Sequence, residues 1–514
     1  METAREETIV DKDFFSPVIR TVLFFLIFAA GFFVRFYHIK DPPLDFAPTC
    51  QFRSASIARA LFYKNNPDIP EWQKEIAFAE KKYHGPLEPA IMEHLALFSY
   101  KIAGKEVLWI PRVFAVFFWM IGGFFLLLLT RKLVSADGAL FAVAFYVCSP
   151  FGIFASRSFQ PDPLMIMGFM AAVYFIVLYF ERPSYRRLWI SASITAVGIF
   201  FKLITVFPIV LVFLFAGLKK FGFRRLIIDG KTWIFAGIAA IPTAVYYPYH
   251  LFLAKDMSAG GYFFPGFILK SFFWDGWKYL LDRVIGLFPL YLALIGAFFF
   301  KKRMARSVSL GLWMGYILYA LVFTYPTYTH AYYHLQLIPI VAFSLAPLGG
   351  LLLNGLRKNM RSWAARALPL IIIFYPFFSS LGQARKVLNN PNNHMMVRTA
   401  REIGRAVNHS NRTIFLSDFY GYWLIYYGRI FGKNWSTIWH DQAVVARGGT
   451  LLPPLKKLKR MISFNESEYF IVTYMEEFKR QTELREVLFN RYPVVEQTSR
   501  YIVFDLTRTK SYGP

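Results

Sequence analysis

Six short stretches carry residues that could do chemistry. They are "DPPLDF" with Asp41 and Asp45, "SIARALF" with Arg59, and "YHGPLEP" with His84 and Glu88. They continue with "QPDPL" holding Asp162, "FFKLI" holding Lys202, and "THAYYHLQLIP" holding His330, Tyr332 and Tyr333. A carboxylate or imidazole beside a polar substrate is what general acid–base work needs. Lysine, arginine, histidine and tyrosine are the donors a phosphate needs. Together these residue types suit a phosphate carrying a polar group. Each has a plainer use. Asp162, between two prolines, suits a helix N-cap. A lone lysine at a span end snorkels to headgroups, and His330 with its tyrosines fits an aromatic belt. Arg112, in "WIPRVFAVFF", suits an interfacial anchor.

The elements that must position these groups are membrane spans. The 514 residues are 56% hydrophobic, 19% aromatic and 18% charged, a composition outside the soluble range. Apolar runs long enough to cross a bilayer recur through the chain. About eleven are expected, over 17–39, 108–130, 138–156, 163–181, 188–201, 203–218, 232–254, 284–300, 307–325, 333–356 and 366–381. The segments 188–201 and 203–218 read as a pair bent at Lys202, with one long helix as the alternative. The net charge of +26 does not call for nucleic acid, because much of it lies in short loops between spans. Arg131 and Lys132, Arg186 and Arg187, Lys219 and Lys220, and Lys301 to Arg303 all fall on one side if the N-terminus is cytoplasmic. The short loops on the other side carry few charges. The stretches with Asp45, His84, Glu88, Asp162, Lys202 and His330 then all open on the extracytoplasmic face of a multi-pass plasma or inner membrane protein.

"GPLEPAIMEHLALFSYKIAG" (85–104) holds Glu88, Glu93, His94 and Lys101, each costly at the bilayer centre, so it is expected as an interfacial helix. It belongs to a large first outer loop, 40–107, in which "SASIARALFY" and "WQKEIAFAEKKY" also read as short amphipathic helices. Residues 1–384 form the expected transmembrane domain, and 385–514 an extracytoplasmic α/β domain with strands in "TIFLSD", "YFIVTYM" and "YIVFDL". Two cysteines define no disulfide framework. Phosphate-cradling glycine loops and Cys/His zinc spacings are absent from the sequence.

In order and spacing the stretches resemble those of polytopic glycosyltransferases of the GT-C fold, as found in protein O-mannosyltransferases and lipid A aminoarabinose transferases. The resemblance covers roughly 17–350. It is carried by Asp45 after the first span, "SIARALF" with Arg59, and His84-Gly85-Pro86-Leu87. Arg112, Asp162-Pro163, Lys202 between two short spans, and Tyr332, Tyr333 and Pro339 complete it. A glycine stands at position 85 where the family has proline. The resemblance implies a polyprenyl-phosphate-linked sugar as donor and a glycan, lipid or protein as acceptor. It implies Asp45 as catalytic base, with Asp162 supporting it. Lys202, His330, Tyr332 and Tyr333 would hold the donor phosphate, and Arg59, His84, Glu88 and Arg112 would serve the acceptor side. Oxygen ligands would suit a divalent cation, which the sequence does not require. The alternative is a transporter or flippase of a lipid-linked glycan. That reading expects mid-span charges and paired halves, and neither is found.

Overall fold

The computed structural model describes residues 14–254, 262–357 and 385–510, with a few positions between 367 and 383. The chain divides into two compact units. One comprises Met1–Ile39, Leu87–Ile91 and Arg112–Asn389, and the other Lys40–Pro86, Met92–Pro111 and Asn390–Pro514.

The first unit is helical. Six helices of the chain are long and apolar enough to cross a membrane among the described residues: Pro17–Phe36, Trp109–Leu133, Asp162–Glu181, Leu203–Phe221, Arg303–Val322 and Ala331–Leu356. A seventh is counted if Ser271–Val284 and Leu287–Phe299 form one span, but they meet at 89°. The helix Leu287–Phe299 occupies most of the span expected over 284–300 and begins after the bend. Gly286, at φ 86°, turns the chain at the bend. The span expected over 138–156 is likewise broken, into Ala136–Cys148 and Pro150–Ala155. Pro150 has no N–H to continue the ladder, so it opens a new helix instead. Most of the expected span 366–381 lies outside the described residues. Exposed Val18, Phe25 and Phe33 on the first helix are the surface a lipid tail would cover.

Glycines set the closest helix contacts. A Cβ on Gly198 would come within 2.7 Å of the Gly168 carbonyl oxygen, so helices Tyr185–Phe201 and Asp162–Glu181 pack backbone to backbone there. Gly311 and Gly315, one turn apart, do the same for Arg303–Val322 against Val206–Phe221. Their Cβ atoms would fall 2.6 Å from the Val212 Cα and 2.2 Å from the Pro208 Cα. Small residues at this spacing let membrane helices approach closely.

In the second unit, the helices expected within the first loop appear as Pro48–Tyr63, Glu71–His84 and Ile91–Ala103. A five-stranded sheet runs in the order β2-β1-β3-β5-β4, with β1 Thr413–Leu416, β2 Gly432–Asn434, β3 Tyr469–Val472, β4 Val494–Gln497 and β5 Ile502–Asp505. The β1 strand lies parallel to β2 and β3, while β5 runs antiparallel to β3 and β4. Strands β1, β3 and β5 are those expected from the sequence. They are apolar because both faces are buried: Leu458, Phe478, Leu484 and Leu488 cover one, and Phe415, Ile471 and Val503 are buried on the other. The edges β2 and β4 were not legible: "GKN" has no apolar alternation, and "VVEQ" is half-exposed.

Candidate active site

Lys202 interrupts two helices. Tyr185–Phe201 ends before it and the chain resumes at Leu203 in a short 3₁₀ turn, Lys202 itself being extended at φ −161° and ψ 119°. The paired reading of this segment is the one the structure shows. Thr205 makes the break tolerable by donating its hydroxyl to the carbonyls of Gly198 and Lys202, at 3.2 and 3.0 Å. Lys202 is 4% exposed, so it does not snorkel. Its Nζ lies 3.1 Å from Asp162 Oδ1 and 3.2 Å from Glu88 Oε1. Asp162, 1% exposed, is the first residue of its helix, and its carboxylate is engaged with Lys202. Desolvating a lysine between two carboxylates is stable only with such close pairing.

The aromatic side of the site comes from the turn that follows Arg303–Val322. The Tyr333 and Tyr332 rings lie 5.0 and 5.6 Å from Lys202 Nζ. His330 sits beside both tyrosines, its Nδ1 2.6 Å from the Thr329 hydroxyl. This turn is pinned by a residue the sequence reading did not use. Buried His334 directs Nε2 at the Thr327 carbonyl, 2.8 Å away. A carbonyl only accepts, so the proton belongs on Nε2 and Nδ1 accepts from the Tyr316 hydroxyl at 2.6 Å. Tyr316 in turn accepts from Trp277 Nε1 at 3.1 Å.

Two tyrosines were also missed. Tyr247 is close enough to Glu88 and Lys202 to feel their charges, and Tyr319 close enough to feel that of Asp162. The Tyr247 hydroxyl lies against the Leu203 backbone and that of Tyr319 beside Thr327, while the amide atoms of Gln160, two residues before Asp162, are buried without a hydrogen-bond partner among the described residues. Buried polar groups are seldom left so, and a polar ligand would satisfy them. Only their three-dimensional placement marks them, since each sits in an ordinary apolar run.

Arg112 has a structural task. It donates to the carbonyls of Arg157 and Ile39, both at 2.9 Å, while Arg157 donates to those of Tyr37 and His38. The two guanidinium groups thus close the carboxyl end of the first helix, where unpaired carbonyls and the dipole favour cations.

The remaining expected residues belong to the second unit. Asp45 is half-buried ahead of helix Pro48–Tyr63 and accepts from Gln51 Nε2 at 3.4 Å. His84 ends helix Glu71–His84, and its side chain lies outside the described set. Arg59 is buried, paired with Glu106 at 2.9 Å, and donates to the Tyr426 carbonyl at 2.8 Å. Burial alone would raise the Glu106 carboxyl, but the Arg59 charge and hydrogen bonds from Tyr426 and Tyr63 outweigh it and hold the group below its ordinary value. Among the described residues no group of three or more His, Cys, Asp or Glu side chains is arranged to hold a metal ion.

The segment 87–248 matches the family model for dolichyl-phosphate-mannose-protein mannosyltransferase. No curated protein sequence matches the chain. Among solved structures, ArnT from Cupriavidus metallidurans in the apo state is similar over 95% of this chain and 98% of its own, with TM-score 0.59 at 13% identity. The same protein bound to undecaprenyl phosphate gives TM-score 0.53 at 12% identity over the same shares. The oligosaccharyltransferase AglB from Archaeoglobus fulgidus, in complex with an inhibitory peptide and a dolichol-phosphate, gives TM-score 0.52 at 10% identity, over 94% of this chain and 74% of that one. The fold is therefore that of the polytopic GT-C glycosyltransferases, and the resemblance read from the sequence holds. The matched segment contains Glu88, Arg112, Asp162 and Lys202.

Proposed function

We propose that the protein is a membrane glycosyltransferase that moves a sugar from a polyprenyl-phosphate donor to an acceptor hydroxyl, with inversion. The observation that carries this reading is the buried Lys202, held between Asp162 and Glu88 and faced by Tyr332 and Tyr333. An ammonium this well shielded from water is worth most against a charge that develops during reaction. The solved relatives that carry undecaprenyl phosphate or dolichol-phosphate support a lipid phosphate as that charge.

In the reaction the acceptor oxygen attacks the anomeric carbon and loses its proton to Asp45. The bond from that carbon to the phosphate oxygen breaks, and the electron pair leaves with polyprenyl phosphate. Lys202 neutralises the departing phosphate, with His330, Tyr332 and Tyr333 as further donors, and Asp162 keeps Lys202 in place. A divalent cation on carboxylate oxygens would add positive charge beside the phosphate. The acceptor is a glycan, a lipid or a protein, selected by the second unit through the loop bearing Arg59 and His84. The shorter helices Ala136–Cys148, Tyr185–Phe201 and Gly230–Pro248 and the bent pair Ser271–Val284 and Leu287–Phe299 would cross the membrane alongside the longer ones, within the about eleven spans expected from the sequence. With a cytoplasmic N-terminus, the loop and the C-terminal domain then lie outside the cytoplasm.

The test is turnover of polyprenyl-phosphate sugars by the purified protein in native lipid, with product anomers read by NMR. Inverted product that disappears in Lys202→Ala is expected. Undiminished transfer by that variant removes Lys202 from the reaction.

A further inference from the structure

The second unit contains a cavity of about 710 Å3 whose lining includes four arginines, Arg59, Arg401, Arg405 and Arg429, with His409 and a single carboxylate, Glu106. Arg59 and Glu106 neutralise each other. Of the other three guanidinium groups, Arg429 interacts electrostatically with the buried Glu80 carboxyl. Arg401 and Arg405, one turn apart on helix Asn392–Ala406, make no ion pair among the described residues, and Arg429 Nη1 is buried without a hydrogen bond.

Their convergence is built by the backbone. A Cβ on Gly404 would lie 2.1 Å from the Gly428 carbonyl oxygen, and one on Gly428 would lie 2.9 Å from that of Ala400. Helices Asn392–Ala406 and Tyr422–Gly428 therefore touch main chain to main chain, which brings Arg401 and Arg405 alongside the residue that follows the second helix. That residue is Arg429, in the left-handed region at φ 50° and ψ 54°. His409 is left-handed too, at φ 51°, and is held by Nδ1 donating to the Gly428 carbonyl at 2.9 Å. Side-chain-bearing residues adopt this backbone at a cost, and such strain collects where a site must be shaped. Like charges brought together also destabilise a fold unless something offsets them. Neither feature serves the packing of the sheet, whose core is formed by other residues.

We propose that this cavity binds a multivalent oxyanion, a phosphate- or carboxylate-bearing group of up to saccharide size. Planar guanidinium groups bind such oxygens in pairs, and Tyr426 and Tyr427 in the lining add aromatic faces for a ring attached to the anion. Pyrophosphate free in solution and an anionic lipid headgroup present the same chemistry. The inference stands on residues of the second unit alone and does not depend on sugar transfer.

The test is calorimetric titration of the full-length protein, in nanodiscs of phosphatidylcholine, with inorganic pyrophosphate. Saturable one-to-one binding is expected. It weakens by at least about tenfold in Arg401→Gln/Arg405→Gln, weakens again in Arg429→Gln, and is unchanged in the exposed control Arg460→Gln. Arg401 and Arg405 are exposed, so their replacement leaves the unfolding temperature unchanged. Repeating the titration in nanodiscs containing phosphatidic acid separates the sources: weaker apparent binding identifies a headgroup competitor, and unchanged binding a soluble anion. Absence of saturable binding to the native chain, or equal affinity in the arginine variants and the control, overturns the proposal.

Discussion

Lys202 and Asp162 are 40 positions apart in the chain, yet Nζ and Oδ1 are 3.1 Å apart in a buried setting. The contact exists because Gly168 and Gly198 let the two helices meet without side chains between them. Glu88 completes the group from a separate short segment. Two carboxylates on one ammonium leave a negative excess, so an arriving lipid phosphate must compete for Lys202.

Glu88 is the partner that yields in this competition, because its side chain is 19% exposed and that of Asp162 is 2%. Glu88→Gln is expected to tighten binding of sugar-free polyprenyl phosphate, by roughly threefold to tenfold for the loss of one charged competitor. Binding measured by native mass spectrometry or by thermal-shift titration checks this. Unchanged or weaker affinity would show that Glu88 is no competitor.

Removing the lysine is more damaging than removing either acid. Lys202→Met leaves two carboxylates facing each other without a cation, and loss of one partner from a buried ion pair costs about 3–5 kcal/mol. Asp162→Asn should cost less, because Glu88 still pairs with Lys202. Unfolding temperatures in one detergent should rank native above Asp162→Asn above Lys202→Met. The reverse order for the two variants would mean that Lys202 is not the hub of the group.

Asp45→Asn is predicted to lower the turnover number by about 100-fold to 10,000-fold, the range for loss of a general base. Binding of the donor lipid should change little, because Asp45 is not among the groups assigned to the phosphate. Turnover and lipid binding measured on one preparation separate the two effects. Equal losses in both would place Asp45 in donor binding instead.

The second unit carries a pH-sensitive group. Burial pushes the Glu80 carboxyl up to about 7, opposed by the Arg59 charge. The native state then holds this proton more tightly than the unfolded chain, whose ordinary value is 4.5. Its contribution to stability is complete below that value and is lost as pH rises through about 7. At about 1.4 kcal/mol per pKa unit the penalty at pH 8 is of order 3 kcal/mol. Glu80→Gln should unfold near the native temperature at about pH 5 and above it at about pH 8. The same difference at both pH values would show that Glu80 does not titrate between them.

Gly198→Leu is expected to separate helices Asp162–Glu181 and Tyr185–Phe201, since the new side chain would meet the Gly168 backbone and not a movable group. Lowered thermal stability with loss of lipid-phosphate binding is the expected pair of results. A stable variant that still binds the lipid would mean the two helices can slide without disturbing Lys202.

Much of this was legible along the chain. Long apolar runs announce the spans, the break at Lys202 announces a bend, and "TIFL", "YFIV" and "IVFD" announce the buried strands, because periodicity and hydropathy are local properties. Tertiary structure alone decided who meets whom. Gly198 on Gly168 places Lys202 on Asp162, and Gly404 on Gly428 gathers Arg401, Arg405 and Arg429. It also committed Arg112 to backbone carbonyls and broke the run at Gly286. A glycine looks the same in sequence whether it lies against lipid or against another backbone, and a charge shows its purpose only when its neighbours are in place.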